Sequence, residues 1–211
     1  MARRNRNDPR PGDEDFVPST DPERRAHADA LSRSHSGHGC AEQAVGLCQA
    51  GEYYAIVGEH DLAEQMFREA LDIEDAEPGA PQAAYASFLL DRHRHAEALA
   101  MIAEARKLQP EDPDVFLVIG EALAEHDYPQ QAARWFTAGL VAHLGHLTDL
   151  TIDDLREDFD VEFLSRGRYR ARQALNLPQD HIDVLVQELR SFHPDRCGCL
   201  RLINWAWGCG P

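Results

Sequence analysis

The residues best suited to chemistry in this 211-residue chain lie toward its two ends and in one basic stretch. Near the C-terminus, His193, Cys197, Cys199 and Cys209 could supply an imidazole and three thiolates, the donor set of a structural zinc site. The competing reading, and the expected one, is free thiols on a loose apolar tail that also carries Trp205 and Trp207. The five cysteines, odd in number, do not form a disulfide framework. His35, His38, Cys40 and Cys48 offer the same donor types, but their spacing is unlike a compact zinc site, and a polar linker accounts for them. Arg166, Arg168, Arg170 and Arg172 surround Tyr169 and could hold a phosphate through charge-assisted hydrogen bonds. They follow directly on Asp149, Asp153, Asp154, Glu157, Asp158, Asp160 and Glu162, and charge blocks this close are expected to satisfy one another. No phosphate loop, Gly-x-Ser-x-Gly, His-Glu-x-x-His or dinucleotide fingerprint occurs, so catalysis is not expected.

Composition narrows the classes further. Acidic side chains number 37 against 21 basic ones, for a net charge of -16. Nonspecific nucleic-acid binding needs a basic face to displace counterions, and anionic membranes attract basic segments, so neither fits. Arg3, Arg4, Arg6 and Arg10 would make only a short nucleic-acid arm, and solvated tail charge is the simpler account. No apolar run is long enough to span a bilayer, and no apolar stretch follows the N-terminal arginines as a secretory signal would require. A cytoplasmic location is the default expectation.

The elements that would position these residues show an internal period. Ala50, Gly51, Tyr54, Ala63, Phe67 and Ala70 recur as Tyr85, Ala86, Leu89, Ala98, Ile102 and Ala105, and again as Ile119, Gly120, Leu123, Ala132, Phe136 and Gly139. Ala63 to Ala98 is 35 residues and Ala98 to Ala132 is 34. Two antiparallel helices cross closely only where neither carries a bulky side chain, which explains Gly51 and Gly120 opposite Ala63 and Ala132. Phe67 and Phe136 then fill the wedge between successive hairpins. One hairpin cannot bury its apolar stripe alone, so neighbours must stack.

This period and pattern resemble the tetratricopeptide repeat. The resemblance implies an all-α superhelix of three helix hairpins, over residues 44–77, 79–112 and 113–146, with C-terminal capping helices. Residues 1–20 are expected to be a disordered tail, and 21–43 a short helix and linker beginning at Asp21-Pro22-Glu23. Asp61, with Glu64 three residues on, is the expected N-cap of the second helix. The second hairpin has Arg92, His93, Arg94 and His95 where a glycine is usual, and Pro113 and Pro129 open the helices of the third. Beyond His146 the pattern stops. Residues 147–192 form an acidic segment and helices, the last starting at Asp180 with Ile182, Leu185, Val186, Leu189 and Phe192 on one face to cover the end of the solenoid. In the tail, 193–211, Cys197, Cys199 and Cys209 resemble the C-terminal zinc knuckle of the bacterial secretion ATPase. The spacing is one residue too long, and Gly210 stands where the fourth ligand should be, a role His193 could take.

The repeat resemblance also implies that the first helix of each hairpin lines a concave groove. Its site positions include Glu52 and Ile56 in the first hairpin, Ser87 and Asp91 in the second, and Leu117, Glu121 and Glu125 in the third. The Lys, Arg and Asn with which some family members grip a peptide carboxylate are absent from these positions, so that activity is not carried over. An apolar floor with an acidic rim would suit a basic amphipathic protein segment or peptide. The expected function is therefore a non-catalytic adaptor without a cofactor. The alternatives are a groove filled by the chain's own arginine segment or last helix, a zinc-binding accessory of export or quality control, and a nucleic-acid-associated regulatory subunit.

Overall fold

A computed structural model describes residues 16–33 and 40–192. Among these residues the chain is all-helical, with ten helices and no strand, and no helix is long and apolar enough to cross a membrane. It divides into two compact units at Glu77 and Pro78.

The first unit holds α1 (Asp21–Arg33), α2 (Cys40–Ile56) and α3 (His60–Leu71). α1 starts on a reciprocal cap: the Glu23 carboxylate accepts from the Ser19 and Thr20 amides at 3.0 and 3.2 Å, and the Glu23 amide donates to Thr20 Oγ1 at 3.4 Å. α1 packs on α2, with His27 buried between the rings of Phe16 and Tyr53 at 5.2 and 4.9 Å, and the Tyr54 hydroxyl donates to Asp29 at 2.7 Å. The tail expected over 1–20 therefore packs against α1 from Phe16, and its remainder falls outside the described residues. α2 pairs with α3 where Gly51 meets Phe67: a Cβ at Gly51 would lie 2.9 Å from the ring. The α3 start differs from expectation. Glu59, not Asp61, is the N-cap residue and makes no side-chain cap, because the preceding turn already fixes the chain's entry.

That turn occurs three times with one geometry. Glu59 N donates to Tyr54 O, Arg94 N to Leu89 O and Tyr128 N to Leu123 O, each at 2.8 Å. Four residues on, Ala63, Ala98 and Ala132 donate to the carbonyls of Glu59, Arg94 and Tyr128, each at 3.0 Å. The residues at the bend, Gly58, His93 and Asp127, have φ of 84, 58 and 65°. Only Gly58 takes the left-handed backbone without steric cost, on the order of 1 kcal/mol for the other two. The hydrogen bonds across the bend hold His93 and Asp127 there.

The second unit contains α4 (Ala80–Asp91), α5 (His95–Lys107), α6 (Pro113–Glu125), α7 (Pro129–Leu144), α8 (Ile152–Glu157), α9 (Phe159–Ala174) and α10 (His181–Phe192). α4 pairs with α5 and α6 with α7, and α4 also packs on α6. α6 begins at Pro113, as expected, after Asp112 accepts from the Asp114 amide at 2.9 Å. α9 packs on both α7 and α6, and it ends in the same bend as the earlier opening helices: Leu177 N donates to Arg172 O at 3.1 Å, and Asn176 has φ of 52°. The helical pattern thus continues past His146, although the small-residue register does not. Phe136, fully buried, is flanked on both sides, since a Cβ added at Gly120 of α6 or at Gly167 of α9 would each fall 2.5 Å from its ring. α10 buries Ile182, Leu185, Val186 and Leu189, as its periodicity requires, against α8 and α9.

Candidate functional site

The seven groove positions divide between the two units. Glu52 is half-buried and Ile56 is 39% exposed on α2 of the first unit. Burial pushes the Glu52 carboxyl up to about 8 and, with Glu52 nearby, pushes the Cys48 thiol well above its ordinary range; Cys48 itself is buried in the core.

In the second unit, α4, α6 and α9 lie side by side, and α4 and α6 carry the other five. Leu117 is buried as part of the floor, Ser87 is half-buried, and Asp91 and Glu125 are exposed. Asp91 accepts a hydrogen bond from His126 at 2.9 Å, which ties α4 to the end of α6. Glu121, with only 12% of its side chain exposed, takes the guanidinium of Arg170 on α9. Burial raises the Glu121 carboxyl and Arg170 opposes that rise. No cation among the described residues pairs with Glu125.

The arginine segment does not mainly neutralise the acidic block before it. Only Arg166 does so, pairing with buried Glu162 at 2.9 Å. Arg168 reaches α10, with Nη1 3.2 Å from Asp183 and 3.1 Å from Asp180, and its Nε donates to Thr137 on α7 at 3.1 Å. Arg172 Nε donates to Asp183 at 2.9 Å and its Nη2 to the Pro178 carbonyl at 2.7 Å. Alternate residues on one helix point to different neighbours, which local charge counting could not resolve. All four guanidinium groups meet carboxylates, so a phosphate would have to displace existing ion pairs.

Of the expected metal ligands, His193, Cys197, Cys199 and Cys209 lie outside the described residues, as do His35 and His38. Among the described residues one group has metal-ligand spacing: His143, Asp158 and Asp160, with donor atoms within 4.8 Å of one another. Sequence reading missed it because His143 ends α7 while the aspartates start α9. Helix capping accounts for much of it, since Asp158 accepts from the Asp160 and Val161 amides at 2.9 and 3.2 Å and from His143 at 2.7 Å.

Beside this group sits Asp114. Burial, together with Asp112 and Asp160, pushes its carboxyl up to about 7. The unfolded chain releases this proton near pH 4, so stability falls as pH rises from there to about 7 and stays lower above it. After discounting for its partial exposure, Asp114→Asn should stabilise the protein by about 1–2 kcal/mol at pH 8 and much less at pH 4. Urea unfolding at the two pH values reads this directly, and an equal effect at both would refute the electrostatic assignment.

The deciding geometry is the row of α4, α6 and α9, with a carboxylate of α6 occupied by a guanidinium of α9. No family model, curated protein or solved structure matches the chain. The site therefore has to be read from its own residues. They place a half-buried carboxylate, Glu121, already paired with Arg170, one turn from an exposed one, Glu125.

Proposed function

We propose that the chain is a tetratricopeptide-like solenoid that acts as an adaptor, binding a basic amphipathic protein segment along the exposed face of α4 and α6 in the second unit. The threefold bend with matching hydrogen bonds supports the repeat reading, because Gly58, His93 and Asp127 recur at 35 and 34 residues, the spacing of the small-residue pattern. The end of α9 extends this to a fourth, longer-turned hairpin formed with α10.

The observation that carries the binding reading is the Glu121–Arg170 pair. It is an intramolecular version of the proposed contact, a guanidinium taken by a carboxylate of α6. Glu125, one turn along the same helix, offers a second carboxylate for a ligand cation.

Anisotropy of labelled amphipathic peptides bearing Arg or Glu on their polar face tests this. The wild-type chain should prefer the Arg peptides, and Glu121→Lys with Glu125→Lys should weaken them by about tenfold or more. Arg170→Ala, which removes the internal competitor, should tighten them a few-fold, on the scale of one partly exposed ion pair. Equal binding by wild type and the double variant, or a preference for acidic peptides, overturns the proposal.

A further inference from the structure

The outward face of α7 carries an open, mostly apolar trough. The buried face of that helix holds Ala132, Trp135, Phe136, Gly139 and Leu140, and its packing partners are α6 and α9. The opposite side presents Ala133, Ala138, Val141 and Ala142 as the floor of a trough of about 760 Å3, open along one side, with Leu175 and Leu177 from the end of α9 as its wall. No helix among the described residues covers it, because α10 packs on α8 and α9 instead. Val141 and Leu177 are left 43% and 44% exposed.

The charge around this trough is opposite to that of the chain. The molecule carries -16, yet the charged residues lining the trough are Arg134 and Arg172, and no carboxylate lines it. Arg172 is held by Asp183 and the Pro178 carbonyl. Arg134 is exposed, and no carboxylate among the described residues pairs with it. From Gln130 to Ala142 the floor runs thirteen residues of helix, a rise of about 18 Å, or three turns of a helix laid alongside. Small side chains on the floor let a partner backbone approach closely. A small-molecule site would enclose most of its ligand, which an open trough cannot do.

We infer that this trough docks an amphipathic helix of a protein partner, with its leucine-like face on α7 and acidic side chains at its flank meeting Arg134. The surface shares no residue with the face assigned to basic ligands, so the two sites can be occupied and tested separately.

The probes are two helical peptides with the same leucine stripe, one flanked by Glu and one by Lys, measured by anisotropy against the full chain. The Glu-flanked peptide should bind about tenfold tighter. Val141→Asp and Leu177→Asp, both at exposed positions, should each weaken it by about tenfold while leaving the melting curve unchanged. Arg134→Glu should reverse the preference toward the Lys-flanked peptide. Glu121→Gln with Glu125→Gln should leave binding of the Glu-flanked peptide unaltered, which separates failure here from failure of the proposed groove. Equal affinity for the two peptides, or indifference to Val141→Asp, overturns the inference. So does concentration-dependent self-association abolished by Val141→Asp, which would mean that a second copy of the chain covers α7.

Discussion

Phe136→Ala should destabilise the second unit by about 3–5 kcal/mol, read as a lower urea midpoint with little change in slope. The ring is fully buried and is gripped by two glycines, Gly120 on α6 and Gly167 on α9. Removing it leaves a cavity at the meeting point of three helices, and backbones already in contact cannot collapse far into it. The same geometry makes the glycines intolerant. Gly167→Ala places a methyl 2.5 Å from the ring, so either the ring or α9 must move, at a cost of about 1–3 kcal/mol. The two sites should be strongly coupled: combining Gly167→Ala with Phe136→Leu should cost less than the sum of the separate changes. A melting temperature within error of wild type for Phe136→Ala would remove the ring from the core and the repeat register with it.

Asp183→Ala should cost about 3–5 kcal/mol, because it leaves two guanidinium groups short of a partner in a buried place. Asp183 is 2% exposed, and Arg168 and Arg172 both converge on it. It also closes the start of α10: its amide donates to Asp180 at 3.2 Å and its carboxylate accepts from the Asp180 amide at 3.1 Å. Burial would raise the neighbouring Asp180 carboxyl, but hydrogen bonds from Arg168 and the Asp183 amide hold it below its ordinary value. A carboxylate with a lowered folded value contributes stability above its unfolded value, and that stability is lost as pH falls through the folded one. The α9–α10 contact should therefore keep its full contribution down to the ordinary carboxylate range, about pH 4, and weaken only below it. Replacing the pair together, Arg168→Met with Asp183→Leu, should cost less than Asp183→Ala alone, since only Arg172 then loses a partner, and it keeps Asp180 at 3.3 Å. Chemical denaturation of the two variants checks the ordering, and Asp183→Ala within about 0.5 kcal/mol of wild type would refute it.

The helices and their pairing were legible in the sequence because their signals are short-range. The pairing of α2 with α3 and of α6 with α7 follows from the short turns that join them, but the side chains that meet Gly51 and Gly120 are Phe67 and Phe136, where Ala63 and Ala132 were expected. Pro113 and Asp180 announce helix starts for equally local reasons. The left-handed bends at His93 and Asp127 were not legible, because neither residue advertises a backbone that three-dimensional hydrogen bonding imposes on it. Nor was the role of α9 as a continuation of the stack, since α8 intervenes and its contact residue, Gly167, falls in a different register from Gly120.

Of the four arginines only Arg166 finds a local partner, Glu162 one turn back on α9; the partners of the other three were decided by tertiary structure. Arg166, Arg168, Arg170 and Arg172 look equivalent in the sequence, yet they reach Glu162, Asp183, Glu121 and again Asp183. A hydrophobic period constrains which face of a helix is inward, so burial can be read along one segment. An ion pair needs only two opposite charges brought within reach, and with 37 acidic side chains in the chain, only the stacking of distant helices selects which ones meet.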